Sequence, residues 1–81
     1  MLQKYKWEFN SMNVLVFSTS VKTATDINFL TPFINSLAGK GNWNFALDDC
    51  DHVLRIISDE VKPIIAIELL RSHGYQCTEL D

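Results

Sequence analysis

The chain is poor in the residues that would narrow its chemistry fastest. Two cysteines in 81 residues are too few for the disulfide framework of a small secreted domain. Both thiols are expected free, in a reducing cytoplasm. No uninterrupted apolar run exceeds about four residues, as in Val14 to Phe17, against roughly 20 for a membrane-crossing helix. Lys4 and Lys6 have no apolar stretch behind them, which argues against a signal peptide. Positive charge is sparse as well. Seven Lys and Arg against ten Asp and Glu give a net charge of -3. The basic residues are scattered one or two at a time, so there is no nucleic-acid footprint. Three glycines and two prolines are too few for a flexible linker or a low-complexity segment.

What is present is apolar. At 47% hydrophobic residues the chain reads as globular rather than disordered. Its length suits one domain of two layers. Residues 4 to 10 alternate Lys4, Lys6 and Glu8 with Tyr5, Trp7 and Phe9, the period of a strand with one apolar face. Ser11-Met12-Asn13 breaks that pattern. We therefore divide the chain into a strand-like extension, 1–11, and a domain, 12–81. Met12 is an alternative start for the protein.

Val14-Leu15-Val16-Phe17 reads as a buried strand running on to Ser20 or Val21. Ile27, Leu30, Ile34 and Leu37 then recur at helical spacing, with Phe33 widening the stripe. Thr23 and Asp26 form a capping-box pair, and Gly39 and Gly41 end the helix. Pro32 lies inside it and predicts a kink. Trp43, Phe45 and Leu47 alternate as a second strand. Val53 to Ile57 is a third, with Leu54 and Ile56 on one face and Val53, Arg55 and Ile57 on the other. Ser58-Asp59-Glu60 suits the start of a second helix, with Pro63 in its first turn. Ile64, Ala66, Ile67 and Leu70 form its stripe and Gly74 its end. Tyr75 to Leu80 reads as a final strand.

This order predicts an α+β fold: a ferredoxin-like βαββαβ sandwich, with a four-stranded antiparallel sheet and both helices on one face. Tyr5, Trp7 and Phe9 would add an N-terminal strand. In such a fold three connections share one end: the loop after the first strand, the hairpin tip, and the loop before the last strand. That end would gather Lys22, Thr23, Asp26, Asp48 to His52, and His73. The run Asp48-Asp49-Cys50-Asp51-His52 is the densest group of acids, thiol and imidazole in the chain. Asp49, Cys50, Asp51 and His52, joined by His73, would offer mixed ligands to a divalent or soft metal ion. The plainer reading is a soluble acidic turn. Cys50 is a poor nucleophile candidate, because flanking carboxylates suppress the thiolate. Cys77 reads as a small core residue.

The element order, the Val-rich first strand, Ala38-Gly39-Lys40-Gly41 and the ending Arg71-Ser72-His73-Gly74-Tyr75-Gln76-Cys77 together resemble the heavy-metal-associated domain of copper chaperones and metal-pumping ATPases. That family carries a Met-x-Cys-x-x-Cys loop after its first strand, whose two thiolates hold Cu(I). Here the matching run is Val21 to Asp26, and Thr23 and Asp26 stand at the cysteine positions. A hydroxyl and a carboxylate are hard ligands and do not replace soft thiolates. The run Trp43 to Arg55 is similar to one in small bacterial proteins, which implies a bacterial source.

The expected function is that of a small non-enzymatic binding or interaction module, with no cofactor. The working surface would be the acidic end or the sheet face that no helix covers, where a protein partner or self-association would use Tyr5, Trp7, Phe9, Val53 and Ile57. The alternative is metal binding at the acidic tip, as in a metal chaperone or sensor. An acylphosphatase-type enzyme would need an Arg-bearing phosphate loop after the first strand, where this chain has only Lys22.

Overall fold

The computed structural model describes residues 13–48 and 50–80. The expected extra strand, with Tyr5, Trp7 and Phe9, lies outside them. Along the chain run β1 (Val14–Thr19), α1 (Ala24–Ala38), β2 (Trp43–Ala46), β3 (Val53–Ile57), α2 (Pro63–Ser72) and β4 (Cys77–Glu79). The four strands form one sheet in the order β2-β3-β1-β4, and every neighbouring pair is antiparallel. This small α+β arrangement is consistent with a ferredoxin-like fold. No described helix is long and apolar enough to cross a membrane.

Strand alternation divides the sheet into two faces. Opposed residues share a face, so the register Leu15↔Ile56, Phe17↔Leu54, Trp43↔Ile56 and Phe45↔Leu54 collects one apolar side. The helices bury that side. Phe17, Leu54 and Ile56 join Leu30 and Ile34 of α1 and Ala66 and Leu70 of α2 in a single core. A side chain such as Leu54 or Leu70 gains about 1.5–3 kcal/mol from complete burial. The opposite register, Val14↔Ile57, Val16↔Arg55 and Asn44↔Arg55, forms a face that neither described helix covers.

α1 begins as its local chemistry predicts. The Asp26 amide donates to Thr23 Oγ1 at 3.1 Å, and the Thr23 amide donates to Asp26 Oδ2 at 3.2 Å. The helix is continuous through Pro32. The proline ring removes one donor, while Thr31 in the same turn sends its hydroxyl to the Ile27 carbonyl at 2.7 Å. Phe33 does not join the core. It is 37% exposed, because the buried stripe of α1 narrows to Leu30 and Ile34.

α2 starts later than its sequence suggests. Ser58 caps no helix; its Oγ accepts the amides of Glu60 and Val61, each at 3.0 Å. That local turn delays the helix until Pro63, whose missing N–H is harmless at the first position. The helix ends in a Schellman arrangement. The Tyr75 amide reaches the Leu70 carbonyl at 3.0 Å and the Gly74 amide reaches that of Arg71 at 3.1 Å. His73 is the C-cap, and Gly74 follows it at φ +91°. β1 stops at Thr19, β2 at Ala46, and β4 is shorter than the expected Tyr75 to Leu80.

Candidate functional site

Three connections meet at one pole of the sheet. The Thr19 amide donates to the Asp51 carbonyl at 3.1 Å, and Thr19 Oγ1 donates to the His52 carbonyl at 2.6 Å. The hairpin tip is thereby tied to the end of β1. On the other side, the Ser20 amide donates to the Gln76 carbonyl at 3.1 Å and the Gln76 amide returns to Ser20 Oγ at 2.8 Å. The start of α1 joins the same pole, because the Tyr75 hydroxyl donates to Asp26 Oδ1 at 2.9 Å. Thr23, the tip and the loop before β4 therefore lie where the topology predicts.

The chemistry of the pole is structural. The Tyr75 hydroxyl, followed by the Lys22 amide, holds the Asp26 carboxylate below its ordinary range. The same bond raises Tyr75. With its oxygens occupied by Lys22, Thr23 and Tyr75, Asp26 serves as a clasp.

At the tip, Cys50 is exposed and unbridged. Asp51 is exposed, and His52 is half-buried with a left-handed φ of +48°. Its Nδ1 is buried with no hydrogen-bond partner among the described residues. Asp49 lies outside those residues. His73 is engaged elsewhere. Its ring lies on Phe33, with centroids 4.1 Å apart, and meets Phe29 edge-on at 5.8 Å. His73 Nδ1 is 2.8 Å from the Leu69 carbonyl. A carbonyl only accepts, so Nδ1 carries the hydrogen. Among the described residues no three of the His, Cys, Asp and Glu side chains are grouped to hold a metal ion. Cys77 is buried in the core, and burial pushes its thiol up to about 11, with Arg71 opposing.

The uncovered sheet face offers a different kind of site. Val14 is 56% and Ile57 43% exposed. They flank a shallow depression of about 280 Å³ completed by Gly41, Trp43, Asn44 and Arg55. Arg55 Nη1 donates to Asn44 Oδ1 at 3.4 Å, which holds a cation in the middle of an apolar surface. Trp43 is itself anchored, its indole N–H donating to Asn35 Oδ1 at 2.8 Å. Val53 shares this face by register but is only 5% exposed, so it adds little accessible surface. A second depression of about 300 Å³ lies between the end of α1 and the start of α2, lined by Leu37, Ala38, Ser58, Val61, Lys62 and Ile65.

Sequence reasoning missed the pairing of Tyr75 with Asp26 and the contacts of the His73 ring with Phe29 and Phe33. The four-residue spacing of Phe29 and Phe33 was a usable signal, since it places both rings on one side of a helix. Comparison with known proteins adds nothing to the geometry: no family model, no curated protein and no solved structure matches the chain.

Proposed function

We propose that the chain is a non-enzymatic binding module, built as a divergent relative of the heavy-metal-associated domain on a βαββαβ ferredoxin-like plan. Its working surface is the uncovered sheet face. The observation that carries this reading is the pairing of exposed Val14 and Ile57 around a depression that contains Arg55. An extended segment with alternating apolar side chains suits such a surface, because its two-residue period matches that of the strands beneath. Thr23 and Asp26, at the positions of the family's thiolates, are engaged in helix capping. The reading therefore places no copper transfer at that loop.

A peptide-display selection against the folded full chain tests the proposal. Peptides with alternating aromatic or aliphatic residues are expected, and their binding is expected to vanish on Ile57→Lys. A selection that yields no ligand sensitive to Ile57 removes the proposal.

The alternative is metal binding at the tip, favoured by the exposed, unbridged Cys50 beside Asp51 and His52. It requires Zn(II), Ni(II) or Cu(I) to raise the melting temperature by mass action and Cys50→Ser to abolish the rise.

A further inference from the structure

The outer side of α2 breaks the rule that its inner side obeys. Ala66 and Leu70 are buried in the core, and the side of a helix turned away from a core is ordinarily polar. Here it carries Ile64 and Ile65, 56% and 45% exposed. Phe29 and Phe33, the exposed apolar residues of α1, rest on each other and on His73. Ile65 instead borders the depression of about 300 Å³ between the end of α1 and the start of α2. An apolar ridge beside a hollow is the shape of a contact surface.

The charges around Ile65 identify the occupant. Lys62 precedes it by three positions and Glu68 follows it by three, a spacing that keeps them on neighbouring parts of one helix side. At 1.5 Å per residue, each stands about 4.5 Å along the axis from Ile65. Farther out, Glu60 lies five positions before Ile65 and Arg71 six positions after it. All four charged residues are exposed. Each charge thus has one of opposite sign at nearly the same distance on the other side of Ile65. A surface with this antisymmetry is complementary to itself. A two-fold axis beside Ile65, perpendicular to α2, lays the helix antiparallel on its own copy and exchanges the two ends. Parallel pairing would instead set Lys62 on Lys62 and Glu68 on Glu68.

We propose that the outer side of α2 is the contact between two copies of this chain, related by a two-fold axis at Ile65. Ile65 packs on Ile65 of the second copy, with Ile64 beside it. Lys62 pairs with Glu68 of the second copy, and Arg71 reaches toward its Glu60, across the depression at the start of α2. By symmetry each pair occurs twice. The isoleucines supply affinity by burial, and the charges around them set the antiparallel orientation. The contact uses the helical layer and leaves the open sheet face free for the ligand described above.

Sedimentation equilibrium of the untagged full chain measures the dimer constant. A reversible dimer is expected. Ile65→Asp, at an already exposed position, is expected to abolish it, with circular dichroism reporting an intact fold. Lys62→Glu and Glu68→Lys each create two like-charge contacts, and each is expected to weaken the dimer about tenfold or more. The double variant Lys62→Glu/Glu68→Lys restores opposite signs and is expected to recover the dimer. Ile57→Lys, on the sheet face, is expected to leave it unchanged. Four results overturn the proposal. The chain is monomeric up to about 1 mM; the dimer survives Ile65→Asp; the dimer is lost in Ile57→Lys, which moves the contact to the sheet; or the double variant is as weak as the single ones, which removes the pairing of Lys62 with Glu68.

Discussion

The Tyr75 hydroxyl donates to the Asp26 carboxylate at 2.9 Å across 49 positions of sequence. This bond ties the start of α1 to the loop that follows α2. It also closes the pole at which the hairpin tip meets β1. Its energetic signature is pH dependence. Asp26 lies below its ordinary value, so its contribution is present above the unfolded carboxylate value of about 3.9. That contribution is lost as pH falls through the depressed value. Tyr75 is raised, so its contribution is present below about 10 and is lost as pH rises through the raised value. Tyr75→Phe is expected to lower the melting temperature at neutral pH and to flatten the alkaline limb. The acid limb becomes shallower but persists, because the Lys22 and Thr23 amides still bond the carboxylate. Thermal melts across pH measure both limbs.

Thr23→Ala removes an N-cap acceptor and is expected to cost about 1 kcal/mol. Chemical denaturation is the measurement. Because the pair also fixes Asp26 for Tyr75, Thr23→Ala and Tyr75→Phe should be non-additive in a double-mutant cycle.

The two cysteines should differ sharply toward an alkylating reagent. Cys50 is exposed, whereas Cys77 is buried with its thiol pushed up to about 11. Native protein is expected to take one label quickly at Cys50, and Cys77 to react only through opening of the core. Mass spectrometry of a labelling time course reads both rates.

Gly39 and Gly74 both hold positive φ, at +94° and +91°, but their surroundings differ. A Cβ at Gly39 would stand 2.8 Å from Asn42 Nδ2, while at Gly74 it would meet nothing within 4 Å. Gly74→Ala should therefore cost only the backbone strain, about 1 kcal/mol. Gly39→Ala should cost more, because it also displaces the Asn42 side chain from the Ala38 carbonyl. Paired unfolding curves give the ordering.

How much was legible follows from the range of each interaction. The Thr23–Asp26 box, the end of α2 at Gly74 and the two faces of β3 are set by neighbours a few positions apart, and each is visible in the sequence. The start of α2 was misread because Ser58 favours a tight turn as readily as a helix cap, and only Pro63 marks the true beginning. Phe33 was assigned to the core because the apolar stripe of α1 reads wider than the sheet beneath can cover. Val53 shows the converse, sharing the open face by alternation yet lying buried. The candidate pole could be placed from topology, but the Tyr75–Asp26 bond could not, since nothing local relates residues on opposite halves of the chain.

The central claim is that the uncovered sheet face binds an extended apolar segment through Ile57. The most direct measurement is the Kd of a display-selected peptide for the full chain and for Ile57→Lys. Burial of one such side chain is worth about 1.5–3 kcal/mol, so the account predicts affinity at least tenfold weaker in the variant. Equal affinities would contradict it and place binding elsewhere on the molecule.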